Sequence, residues 1–144
     1  MENLLSRYPS LEICKKDIEN ALMLILDTYK NGGKVLVCGN GGSAADSEHP
    51  EMMYAQLVYG YAGKNDLVIG LSTSGNSKNV VNAMEVAKCM DAKTLALTGE
   101  KESHLSEICD VTVRVPETET YKVQELHLPI YNSSIIITLL LMNN

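Results

Sequence analysis

Two short apolar runs, Lys34 to Cys38 and Leu67 to Leu71, each end in a turn made of Gly, Ser, Thr and Asn, and each turn leads into a helix-favouring stretch. The turns are Cys38-Gly39-Asn40-Gly41-Gly42-Ser43 and Leu71-Ser72-Thr73-Ser74-Gly75-Asn76-Ser77. A continuous apolar run of this length suits a strand buried on both faces of a parallel sheet. Strand, turn, then helix start leaves backbone N–H groups and hydroxyls at the positive end of a helix dipole, where a phosphate or other compact anion is stabilised. Two such turns in one small unit imply a ligand with a phosphate at one end and hydroxyls at the other, as in a sugar phosphate.

The rest of the chain repeats the alternation. Leu11 to Lys30 reads as an amphipathic helix, with Leu11, Ile18, Leu22, Ile25 and Leu26 on one face and Asn31-Gly32-Gly33 ending it. Ser43 caps a short helix running to His49, and Glu51 to Tyr61 is a second helical stretch. The strand from Asp66 to Leu71 is followed by a helix over Asn79 to Met90, a strand over Lys93 to Leu97 and a short helix over Glu102 to Cys109. A fourth strand covers Asp110 to Val115 and a last helix Val123 to Met142. This order predicts a three-layer αβα sandwich with a parallel sheet, wound right-handedly, its ligand at the carboxyl ends of the strands. Both Gly/Ser turns fall at those ends.

With 144 residues the chain is expected to form one domain. A net charge of −6 with no basic run excludes a nucleic-acid surface of the usual kind, while loop amides can still hold a small anion. The four cysteines, Cys14, Cys38, Cys89 and Cys109, have no metal-ligand spacing, and Met1 to Arg7 has no export signal. Reduced thiols in the cytoplasm are therefore expected. The apolar stretch Ile135 to Met142 is too short to cross a bilayer and reads as a buried helix end or an oligomer contact.

Around the second turn, Ser72, Thr73, Ser74 and Ser77 are candidate phosphate ligands. The ordinary alternative is a helix cap, which would use only one of them. Asn40, Gly41, Gly42 and Ser43 are candidates in the first turn, against the alternative of a plain tight βα connection. Lys78 either adds charge near the phosphate or solvates the helix start. His104 is given no role, and Glu51 and Glu125 read as solvated rather than as bases.

The two turns, together with Val115-Pro116-Glu117-Thr118-Glu119-Thr120 and Val123-Gln124-Glu125-Leu126-His127, resemble the sugar isomerase (SIS) domain over about Leu11 to Tyr131. Within that family the chain resembles the phosphoheptose isomerases, which interconvert sedoheptulose 7-phosphate and glycero-manno-heptose 7-phosphate. The resemblance implies a SIS-type, Rossmann-like fold, a homotetramer with sites at subunit contacts, and an aldose–ketose isomerisation through an enediolate. It also implies a Zn2+ site with His49 and Gln124 as ligands. The alternatives are a helix-end role for His49 and hydrogen bonds from Gln124 to sugar hydroxyls, with His127 structural.

Two departures from the family stand out. The family continues its first loop-helix past the histidine to a Glu one turn on, then adds a strand and a substrate-contacting loop. Here His49 runs directly into Pro50-Glu51-Met52-Met53-Tyr54, Met53 standing where the Glu would be, so some tens of residues are absent between His49 and Pro50. Eight residues after Gln124 the related isomerases carry a histidine; this chain has Asn132, and a carboxamide cannot exchange a proton near neutral pH. The catalytic base is therefore unassigned by sequence. The competing expectation is a non-catalytic SIS module that senses a sugar phosphate or assists replication initiation.

Overall fold

The computed structural model describes residues 2–40 and 51–142. Four parallel strands, β1 (Val35–Gly39), β2 (Leu67–Leu71), β3 (Lys93–Thr98) and β4 (Val111–Arg114), lie side by side in chain order. The expected parallel α/β sheet flanked by helices is what the chain forms. Because consecutive strands are neighbours and such crossovers are right-handed, the connecting helices share one face. These are α3 (Met53–Tyr61), α4 (Lys78–Cys89) and α5 (His104–Ile108). The other face is covered by α2 (Lys15–Lys30) and α6 (Thr120–Met142), preceded by α1 (Glu2–Arg7) and a 3-10 turn over Pro9–Cys14.

Strand alternation divides the core in two. Leu67, Leu95, Leu97 and Val113 pack with Ile18, Ala21 and Ile25 of α2 and Val123 and Ile130 of α6. Val68, Cys38 and Ala96 pack on the opposite face with Val80, Ala83, Met84 and Ala87 of α4 and Leu105 of α5. Cys38, Gly70 and Ala96 form one row across the sheet. These small residues let α4 lie close: a Cβ at Gly70 would come within 2.8 Å of Val80 Cγ1.

The amino-terminal helix differs from the sequence reading. Leu11, Cys14, Ile18, Ala21 and Ile25 do form one buried stripe at helical spacing. The backbone beneath it is broken, because Pro9 opens a 3-10 turn and Cys14 leaves helical geometry at φ −108°, ψ 17° before α2 begins at Lys15. Side-chain periodicity survives the break, so the sequence alone reads one helix. The last helix begins at Thr120 rather than Val123, its first turn joined by the bond from the Val123 N–H to the Glu119 carbonyl at 3.0 Å.

Carboxylates close the amino-terminal edge of the sheet. Asp66 accepts the Lys34 N–H at 2.9 Å, the Lys34 ammonium at 2.6 Å and the Gly63 N–H at 2.8 Å, linking β1 to β2. Asp110 accepts the Thr94 N–H at 2.8 Å and hydroxyl at 3.0 Å, linking β3 to β4.

Candidate functional site

A cavity of about 670 Å³ opens at the carboxyl ends of the strands, a size that suits a small metabolite. Its first wall is the end of β1, with Val37, Gly39 and Asn40; its second is the end of β2 and the turn after it, with Leu71, Ser72, Thr73 and Ser77. The third wall is one face of α6: Thr120, Gln124, His127 and Tyr131 follow one another at steps of four, three and four. Asn40, Ser72, Thr73, Ser77 and Gln124, all expected from the sequence, thus meet around one space. Ser74 stands apart, exposed, its Oγ accepting the Asn76 N–H at 3.2 Å. Gly41, Gly42, Ser43, His49 and the junction of His49 with Pro50 lie outside the described residues.

The second turn is held from both sides. Ser72 donates its N–H to the Leu97 carbonyl at 3.1 Å, and the Thr73 carbonyl accepts the Gly99 N–H at 3.1 Å, which fixes the turn to β3. On the other side the Gly75 carbonyl accepts from Leu105 N–H at 3.1 Å, and Asn76 Oδ1 accepts from His104 N–H at 3.0 Å, which fixes it to α5. Gly75 sits at φ +68°, left-handed backbone in which side chains other than hydrogen are strained. Its N–H donates to both the carbonyl and Oγ of Ser72, at 3.0 and 3.1 Å.

Ser77 precedes α4 in extended geometry and makes no side-chain cap; its Oγ lies 2.8 Å from Ser72 Oγ. Among the described residues no acceptor meets the N–H groups of Thr73, Ser77, Lys78 and Asn79. Donors at the start of a twelve-residue helix, beside paired hydroxyls, are the groups from which a compact anion accepts. Lys78 does not add to it, because it pairs at the surface with Glu51 at 3.4 Å.

Two residues of the site were missed by sequence reading. Asn79 donates to Asn40 Oδ1 at 2.6 Å and its Oδ1 accepts from Asn40 Nδ2 at 3.2 Å, a reciprocal amide pair that joins the two turns. Nothing in the sequence marks it, because its partner is 39 residues away. His127, read as structural, does tie α6 to the sheet through Nε2 and the Thr98 carbonyl at 3.1 Å, and it also lines the cavity. Its helical spacing from Gln124 was the available signal. Burial lowers its pKa below the ordinary histidine value, partly opposed by the bond to Thr98, so the ring is neutral at neutral pH.

Of the two ligands implied for a Zn2+ site, Gln124 lines the cavity and His49 lies outside the described residues. Among the described residues no group of three or more His, Cys, Asp or Glu side chains could hold a metal ion. Gln124 contributes a single weak donor, and Asn132 is exposed on α6. Among the described residues no helix is long and apolar enough to cross a membrane.

A parallel sheet with hydroxyls and helix-start donors at adjoining strand ends defines a class that comparison identifies: the SIS domain matches residues 47–142, and a second SIS domain description matches residues 3–60. The chain belongs to the SIS domain family. It is 36% identical over 157 residues to a phosphoheptose isomerase of Aliarcobacter butzleri (82% of each chain) and 33% identical over 155 residues to that of Helicobacter pylori strain 26695 (83% of this chain, 81% of the other). Among solved structures, the phosphoheptose isomerase of Neisseria gonorrhoeae superposes with a TM-score of 0.79 at 28% identity, covering 94% of this chain and 93% of that one. The first alignment spans 157 positions, more than the 82% of 144 residues this chain contributes, so that relative carries residues without counterpart here.

Proposed function

We propose that this chain is a phosphosugar isomerase of the phosphoheptose type, converting sedoheptulose 7-phosphate to glycero-manno-heptose 7-phosphate through an enediolate. The observation that carries the reading is the cavity itself, which sets the Ser72–Ser77 turn and the start of α4 against Asn40 and Gln124, with no acidic or basic residue except His127 among the described residues of its lining. In this reading the phosphate occupies the seat formed by Ser72, Thr73, Ser77 and the free N–H groups of α4. Asn40 and Gln124 face the sugar hydroxyls. Binding at the remote phosphate orients the reacting carbons, and that fixed placement lowers the entropic part of the barrier. The similarity to phosphoheptose isomerases over most of the chain supports the same reaction class.

We place the stretch missing relative to those isomerases between His49 and Pro50. We also read the chain as a homotetramer in the cytoplasm; self-association, though not the number of copies or the location, is supported by exposed apolar side chains such as Ile13 at 80%. One observation favours the second reading, a sugar-phosphate-binding module without catalysis: Asn132 supplies no proton-transfer group. Incubation with sedoheptulose 7-phosphate, with and without zinc, while aldose formation is followed by NMR, separates the two. Turnover supports the isomerase; tight binding without turnover leaves the module.

A further inference from the structure

We infer that His127 is the proton-transfer residue of this site, acting through Nδ1. The inference rests on the isomerase reading above and names the base that reading lacks. The Thr98 carbonyl, 3.1 Å from Nε2, can only accept a hydrogen bond, so Nε2 carries the ring proton and Nδ1 of the neutral ring holds the lone pair. The same carbonyl accepts the Val115 N–H at 3.1 Å, so the ring is anchored where β3 meets β4. Its tautomer is set by the sheet rather than by a mobile side chain.

No described residue pairs with the other ring nitrogen. Among the described residues, no sealed side-chain nitrogen or oxygen is left without a hydrogen-bond partner. Nδ1 has no partner among them, and His127 lines the cavity between Gln124 one turn before and Tyr131 one turn after. Among the described residues no Asp, Glu, Lys or Cys shares that lining, so of these residues His127 alone exchanges a proton near neutrality. Burial keeps the ring in the neutral, accepting form.

The step balances without a co-reactant. Nδ1 takes the proton from carbon 1 of the ketose, and the C–H electron pair becomes the carbon–carbon double bond of the enediolate. The carbonyl pair moves onto oxygen 2, which takes the proton of the hydroxyl on carbon 1. The imidazolium then returns its proton to carbon 2, and carbon 1 is left as the aldehyde.

The test is exchange of the carbon 1 hydrogens of sedoheptulose 7-phosphate in D2O, followed by proton NMR, with affinity measured by calorimetry. His127→Gln keeps an N–H for the Thr98 carbonyl and removes the basic nitrogen. The expected result is a loss of exchange of about 100-fold or more, with affinity changed less than about threefold and melting temperature held, a split that a merely structural histidine would not produce. Exchange within threefold of the parent overturns the inference and leaves the isomerase reading standing. A parent protein that binds the ketose and exchanges nothing overturns both. Should His127→Gln not fold, the 15N shifts of the parent histidines decide: a pyridine-type Nδ1 that moves on ketose binding supports the assignment, and a protonated or unresponsive Nδ1 overturns it.

Discussion

Replacing Gly75 by Ala tests whether the second turn is a built anion seat. At φ +68° an alanine is strained by about 1–2 kcal/mol. Its Cβ would also run into Ser103, lying 2.5 Å from that residue's Cβ and in conflict with its Oγ, and 3.2 Å from Thr98 Cγ2. Ser103 caps α5, its Oγ accepting the Ser106 N–H while Ser106 Oγ accepts the Ser103 N–H. Displacing a cap of this kind costs about 1 kcal/mol. The sum is a destabilisation of about 2–3 kcal/mol, read as a lower urea midpoint at unchanged slope. The Gly75 N–H also holds Ser72 by two bonds, so the seat shifts with the turn. Loss of one charge-assisted bond to phosphate, about 1.5–3 kcal/mol, weakens sugar-phosphate binding about 10- to 150-fold. An alanine variant with the parent midpoint and an affinity within twofold refutes the reasoning, since neither the backbone nor the contact with Ser103 would then matter.

Asn79→Asp gives opposite signs for stability and binding: a carboxylate in the first turn of α4 favours the helix by about 0.3–1 kcal/mol, yet it repels the phosphate and breaks the donation to Asn40. Calorimetry should show affinity down at least about tenfold in a protein no less stable by thermal melt. The Asp66 carboxyl is buried, which alone would raise its pKa, but its bonds from Lys34 and Gly63 outweigh this and hold it below the usual 3.8. A depressed folded-state pKa contributes stability above the unfolded value, lost as pH falls through the folded one. Chemical denaturation from pH 6 to pH 2 should therefore show a decline starting near pH 4, and Asp66→Ala should flatten part of it while leaving two N–H groups unpaired at about 2–4 kcal/mol.

What the sequence determined by itself was the order of strands and helices and the chemistry of the two turns. Both are local properties: apolar β-branched runs choose a buried strand, and Gly, Ser and Asn after them choose a turn whose donors face outward. The stripe from Leu11 to Ile25 shows the limit of such reading, for side-chain spacing passes unaltered over the backbone break at Pro9–Cys14. Tertiary structure decided which groups share the cavity. Pairing of β1 with β2 brings Asn40 to Asn79, and packing of α6 across the sheet sets His127 against Thr98. Those contacts join residues tens of positions apart through strand register and helix packing, and no local preference encodes either.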